Sequence, residues 1–214
     1  MLVAYRPDVL EGLREATREE PLRVLVSGCL AGWGCGVDGT DYGMKGALAE
    51  LLARQDVRAF PFCPEQHALG TPRTMPDIHG GDGVDVIAGR ARVLDQHGID
   101  LSAKMIEGGR AMVAFALESR VELALLTDMS AACGSQVISL GGRFDSPRRF
   151  QKGVGVATAL LLEAGVPVLS QRDLRSLERL RRRLEARHRP DPEALDHHEH
   201  PWTREHLPGR HPRQ

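Results

Sequence analysis

At 214 residues, 42% of them hydrophobic, the chain can build one good core, or a core with a small appendage. A formal charge of -1 excludes a general pull toward nucleic acid or acidic membrane, so any charged surface is local. The first twenty residues lack the apolar stretch of a secretory signal. The longest greasy run, ATALLLEAGV, is too short and too acidic to span a bilayer, so the expected location is cytoplasmic, with no membrane partner.

In chain order, residues 7 to 19 set Leu10 and Leu13 on one helical face among charges and predict a short amphipathic helix. LRVLVSG (22 to 28) is a continuous apolar run ending in glycine, as in a strand of a parallel sheet buried on both faces. A helix is predicted at about 44 to 55 and a second strand at 57 to 64, closed by proline. The Gly-, Pro-, Asp- and His-rich stretch from 66 to 100 predicts a long loop with a small hairpin made from VDVI and ARVLD. Ser102 is expected to cap a helix over 103 to 119, where Ile106, Val113, Ala116 and Leu117 share a face. VELALLTD (121 to 128) is the third buried strand. A helix at 153 to 165, closed by Gly165, leads to the fourth strand at 166 to 170.

Residues 172 to 187 place Leu174, Leu177, Leu180 and Leu184 beneath an arginine-rich face, which reads as a surface helix packed through its leucines. A basic face of this kind leaves contact with RNA open. From 188 the chain is rich in His, Pro and charge, and a flexible tail is expected, with metal capture by its histidines a further option. The fold class is therefore α/β: a three-layer, Rossmann-like, mostly parallel sheet with helices on both faces and a small hairpin insertion. The domain reading is a helical extension at 1–21, an α/β domain at 22–171, a basic amphipathic helix at 172–187 and a tail at 188–214.

The chemistry is carried by the cysteines at 29, 35, 63 and 133. In a reducing compartment such residues are buried, catalytic or metal-binding rather than disulfide-bonded. Cys29 directly follows the first strand, Cys63 ends the second and Cys133 lies just past the third. Parallel sheets gather strand carboxyl ends at one edge, where ligands bind, so three distant cysteines are brought toward one place. Each alone reads as an ordinary small buried residue. All three occupy Gly-, Pro- or Ser-rich strand-end loops, where packing has no reason to prefer sulfur. Structural zinc favours close Cys-x2-4-Cys pairs, which this chain lacks. An iron-sulfur cluster tolerates wide spacing, and three ligands would leave one iron open to substrate. A catalytic Cys63 with His67 as base is a third option.

Five segments, VSGCLAGWGCGVDG, FCPEQHALGTPR, IHGGDGVDVIAGRARVLD, SAACGS and GVGVATALLLEAGVPV, resemble in order and rough spacing the family long known as DUF523, which includes the thiouracil desulfidases. The likeness covers about residues 22 to 170. It implies a [4Fe-4S] cluster on Cys29, Cys63 and Cys133, with the fourth iron taking sulfur from a thiolated pyrimidine before water replaces it, without net redox change. Under the same resemblance Cys35 is a nonligand near the site. Glu65 would orient or deprotonate the attacking water, although a loop-capping carboxylate is an equal reading. Ser130 would bind the pyrimidine or a cluster sulfide, or else close its own turn. Asp38, Thr71 and Arg73 are candidate pocket residues, with Asp38 also a natural turn former and Arg73 a natural ion-pair partner.

Two departures bear on the substrate more than on the cluster. Gly36 and Val37 stand where the family commonly has Arg-Tyr, and Ser130, Ala131, Ala132 stand where it usually reads Ser-Pro-Ser. The expected function is thus desulfuration of a thiouracil or 4-thiouridine-like compound, the partner being a small thiolated nucleobase or nucleoside. The alternative is a noncatalytic metal- or iron-sulfur-binding sensor or scaffold, with a contact to RNA. Neither a nucleic-acid partner nor an oligomeric state is assigned from the sequence.

Overall fold

The computed structural model describes residues 9–41 and 47–207. In chain order the elements are β1 (Leu22–Ser27), α1 (Ala47–Leu52), β2 (Val57–Phe62), α2 (Pro64–Leu69), β3 (Asp77–His79), α3 (Gly83–Ile87), β4 (Arg92–Leu94) and α4 (Ser102–Glu118). There follow β5 (Leu123–Leu126), β6 (Val137–Ser139), β7 (Phe150–Lys152), α5 (Val156–Glu163), β8 (Val168–Ser170), α6 (Leu174–Leu184), a 3-10 turn (His197–Glu199) and α7 (Pro201–His206).

The central sheet runs β2-β1-β5-β8 with every pairing parallel. Pro61, which has no N–H to give, is tolerated because β2 lies at the sheet edge. The continuous apolar runs divide by side-chain alternation between two faces. Leu25, Ala124, Leu126 and Val168 join one core with α4 and α5. Val24, Val26, Leu123, Leu125 and Leu169 join another with Leu48, Leu51, Leu177 and Leu180 of α1 and α6. This is the expected three-layer α/β fold, and the four predicted core strands and the helices at α4, α5 and α6 fall where the sequence put them.

The connections determine where ligands bind. From β1 the chain moves outward to β2, then returns past β1 to β5 on its other side. The strand order therefore reverses at β1, and the carboxyl ends of β1, β2 and β5 flank the crevice that such a reversal opens.

Several local expectations are corrected. Residues 9–12 form turns and 13–20 are irregular, not the helix predicted over 7 to 19, although Leu10 and Leu13 are buried as that helix required; residues 7 and 8 fall outside the described residues. Of the helix predicted at 44 to 55, α1 spans Ala47–Leu52, and 44–46 likewise lie outside. VDVI is not a strand. It forms α3, because the Asp82 carboxylate accepts the Val84 and Asp85 N–H groups and the Asp85 side chain returns to the Asp82 N–H. The hairpin instead pairs β3 with β4, and the expected long loop also contains α2.

Ser102 is the first helical residue, not the cap. Its N–H is taken by Asp100, and its hydroxyl accepts the Val93 N–H. A second antiparallel pair, β6 with β7, was not foreseen. Leu174 is 48% exposed and does not share the burial of Leu177 and Leu180. Residues 188–207, expected to be flexible, fold back on the domain: His197 and Asp196 are buried, and Trp202 packs edge-on against Phe150 at 5.4 Å.

Candidate active site

Three strand ends build the site. After Ser27 the chain turns at once, with the Leu30 and Ala31 N–H groups bonding back to the Ser27 carbonyl, and this turn presents Cys29. Gly28 is required at its start: a Cβ there would lie 2.8 Å from the Trp33 ring and 3.3 Å from the Cys63 Cβ. Its missing side chain lets the first two cysteine loops close on each other. Cys63, at the N-cap of α2, accepts the Gln66 N–H on Sγ at 3.3 Å. Cys29 Sγ lies 3.0 Å from Thr127 Oγ1 at the end of β5, so hydrogen bonding ties the first loop to the third.

The third loop, 127–136, is held from below by α5. Its carbonyls at Ala131, Ala132 and Gly134 accept the N–H groups of Val156, Ala157 and Gly155, and the Cys133 carbonyl accepts the Thr158 hydroxyl. The otherwise unpaired donors of a helix start are thereby satisfied by the loop that carries Cys133. Gly155 makes the approach possible, since a Cβ there would lie 2.4 Å from the Ala132 carbonyl oxygen.

Glu65, on the first turn of α2, is buried and doubly held. Its Oε2 accepts from Arg73 at 2.5 Å, and its Oε1 accepts the Ser130 hydroxyl at 3.1 Å. Ser130 Oγ in turn accepts the Ala132 and Cys133 N–H groups, each at 3.1 Å. One hydroxyl thus couples the carboxylate to the backbone of a cysteine. Thr71 Oγ1 accepts from Arg73 at 3.1 Å, so Thr71 supports the arginine.

All four cysteines, Glu65, Arg73 and Ser130 open on a single cleft of about 770 Å³. Leu48, Phe62 and Met75 give it apolar surface, and Arg143, Phe144, Arg148 and Arg172 stand at its margin. The volume lies in the range of small-molecule sites and accommodates a nucleobase or nucleoside. Asp38 does not line the cleft; its carboxylate accepts the Thr40 N–H and hydroxyl and closes an exposed turn, so the pocket reading of Asp38 gives way to the turn-former reading. Thr71 is also absent from the lining. His67 is exposed and packs its ring on Phe62, 5.6 Å between centroids, and the group that bonds Cys63 Sγ is the Gln66 N–H. Four of the described tail histidines are engaged separately: His188 with Glu178, His197 with Asp128, His200 at the start of α7 and His206 stacked on Trp202.

The electrostatics bear on what the sulfurs can hold. Burial pushes the thiols of Cys29, Cys63 and Cys133 up, the Glu65 charge adds to the effect at all three, and neighbouring cysteines add to it at Cys29 and Cys133. Cys35 is pushed up by burial and by Cys63. Thiolates crowded in this way persist only against compensating positive charge, which a metal centre supplies. Among the described residues no three of His, Cys, Asp or Glu close around a single ion, as mononuclear zinc requires. Cluster ligands each take a different iron, so three soft thiols from three loops beside a cavity fit that donor role.

The sequence did not single out Thr127, Arg143, Phe144, Arg148 or Arg172. Arg143, Phe144 and Arg148 lie in a segment without strong periodicity, Arg172 opens the arginine-rich helical segment, and only proximity in the fold marks them as cleft residues.

Comparisons with known proteins follow the same outline. The profile of a family described as 2-thiouracil desulfurase matches residues 24–173. An uncharacterized protein, YbbK of Bacillus subtilis (strain 168), is 32% identical over 157 residues, 72% of this chain and 99% of that relative. The solved structure of a [4Fe-4S]-dependent thiouracil desulfidase, TudS, superposes with a TM-score of 0.61 at 30% identity, covering 73% of this chain and 95% of the other.

Proposed function

The chain belongs to the 2-thiouracil desulfurase family, and from that premise we propose that it removes sulfur from a small thiolated pyrimidine, a thiouracil or a 4-thiouridine-like nucleoside, at a [4Fe-4S] cluster. It is an enzyme of the desulfidase type. The observation that carries the reading is the meeting of Cys29, Cys63 and Cys133 with Glu65 on one cleft. In this reading residues 22–171 form the catalytic unit. No helix among the described residues is long and apolar enough to cross a membrane.

Cys29, Cys63 and Cys133 would hold the cluster, which when bound supplies a Lewis-acidic iron open to the exocyclic sulfur of the substrate. The protein's own groups do the rest. The apolar wall of Leu48, Phe62 and Met75 takes the ring and limits water around it. Glu65 is the general base: fixed on one oxygen by Arg73 and on the other by Ser130, it is aimed before substrate arrives. It receives a proton from the water that attacks the ring carbon. The carbon–sulfur bond then breaks and both water protons, one by way of Glu65, end on the departing sulfur, so a thiocarbonyl and water become a carbonyl and hydrogen sulfide with no electron gained or lost. Cys35 lines the same cleft without a ligand role in this scheme.

Anaerobically reconstituted protein incubated with 2-thiouracil, 4-thiouracil or 4-thiouridine should release sulfide and the matching oxo-pyrimidine in equal amounts. An intact cluster with no sulfide from any of the three would contradict the proposal.

A further inference from the structure

Beside the cysteines, where Asp128 lines the cleft with its carboxylate buried, lies a polar junction that the proposed chemistry leaves unused. Asp128 follows Thr127 at the end of β5, and its side chain is the hub of the loop that carries Ser130 and Cys133. Oδ1 accepts four backbone N–H groups: Met129 at 3.0 Å, Ser135 at 2.9 Å, Gln136 at 3.2 Å and Val137 at 3.3 Å. The loop is thus gathered at both ends onto one oxygen. Within it Met129 has φ +63°, a left-handed conformation that a side-chain-bearing residue adopts only when its surroundings impose it.

The other oxygen of Asp128 belongs to the C-terminal segment. Oδ2 accepts from His197 Nδ1 at 2.5 Å, and both residues are almost wholly buried, at 4% and 5% exposure. His197 is itself fixed. Its N–H donates to Asp173, which also receives the Gln136 side-chain amide and the Ser170 N–H. The preceding Asp196 accepts the N–H and the hydroxyl of Ser176 on α6, each at 2.8 Å. On the far side, Trp202 packs against Phe150 of the β6–β7 hairpin. The loop between those strands brings Arg143, Phe144 and Arg148 to the mouth of the cleft.

His197 lies beyond the family match, which ends at residue 173. YbbK is matched over 99% of its own length while 72% of this chain is used. The segment that delivers His197 is therefore an addition to the shared domain, and it ends on the loop behind the cysteines.

We propose that His197 is a positioning residue: by holding Asp128 it sets the 128–137 loop, and through it Ser130 and Cys133, so that the appended C-terminal segment is a working part of the catalytic unit. Loss of the imidazole leaves a carboxylate oxygen buried without its donor. The carboxylate must then turn or admit water, and either outcome loosens the four N–H bonds on Oδ1. Glu65 is affected at one remove, because the hydroxyl on its Oε1 belongs to this loop. The inference rests on the desulfurase reading for its kinetic consequence only.

The test is hydrogen exchange on the full chain, with sulfide release per cluster measured in parallel. In His197→Ala the Ser135, Gln136 and Val137 amides should exchange about tenfold faster, and kcat per cluster should fall about tenfold with KM changed by less than about twofold. His197→Asn, whose amide occupies the place of Nδ1–H, should restore both. His197→Gln sends its amide toward the Nε2 position and should restore neither, and it serves if the alanine variant does not fold. Unchanged exchange would overturn the inference, as would faster exchange with an unchanged rate per cluster. Should the parent protein turn over no thiolated pyrimidine, the desulfurase reading fails and the exchange result alone decides whether His197 holds the loop.

Discussion

The cysteine thiols of the cleft and the Asp128 carboxylate beside them respond to burial in opposite ways. At the rim, Cys29, Cys63 and Cys133 are thiols pushed up first by burial, and their hydrogen bonds, among them Thr127 Oγ1 to Cys29 and the Gln66 N–H to Cys63, offset only part of that cost. Beside them, the Asp128 carboxylate is fully buried yet held below its ordinary range, because His197 and a set of backbone donors more than offset the cost of burial. The thiols stay raised beside a cavity, whereas the Asp128 carboxylate is held low by its donors although its residue lines the same cleft. The difference bears on function: thiols raised by burial suit a cation that stabilises the thiolate, and the hydrogen-bonded carboxylate beside them fixes the loop that carries Cys133.

The largest effect that would break this contrast is at the rim. Replacing Cys29, Cys63 or Cys133 by Ser should lower sulfide release by more than about a thousandfold, because the Lewis acid is lost with its ligand. Cys35→Ser should retain most of the activity, although it lines the same cleft. If all four substitutions behaved alike, the distinction between ligand and neighbour would fail.

Glu65→Gln should leave the cluster in place and lower kcat about a hundredfold or more, the usual contribution of a positioned base. The amide is close in shape to the carboxylate that Arg73 and Ser130 hold, so a loss of this size reports basicity rather than packing.

The smallest effect belongs to the carboxylates around Asp128. Burial, with the Asp128 and Asp196 carboxylates nearby, pushes Asp173 up to about 7. A carboxyl raised on folding contributes stability that is fully present below its unfolded value, near 4, and is lost as pH rises through about 7. The thermal midpoint should accordingly fall by about 5–10 °C between pH 5 and pH 8, a slope that Asp173→Asn removes whatever its effect on absolute stability. A parent midpoint flat across that range would contradict the assignment.

The two regions were not equally legible in the sequence. The rim was, because LRVLVSG and VELALLTD are largely apolar runs that suit a doubly covered parallel strand, and parallel strands gather their carboxyl ends whatever the loop sequences are. Asp128 and His197 lie 69 residues apart, joined by a hydrogen bond that no periodicity announces. The C-terminal segment misled for a physical reason: its composition is that of a solvated tail, and it is ordered by a few anchors, Asp196, His197 and Trp202, rather than by a continuous apolar face. VDVI misled in the other direction. Its β-branched residues favour a strand, but the reciprocal Asp82–Asp85 cap starts a helix there. Leu10 and Leu13 have helical spacing, yet a single turn buries both.

The central claim is that three sulfurs from three strand ends hold an iron-sulfur centre beside a carboxylate base. Iron and acid-labile sulfide counted on protein prepared without air test it most directly. The account predicts about four of each per chain in the parent and in Cys35→Ser, with clear loss in Cys29→Ser, Cys63→Ser and Cys133→Ser. A parent carrying zinc and no sulfide, or iron retained in all four variants, would contradict it.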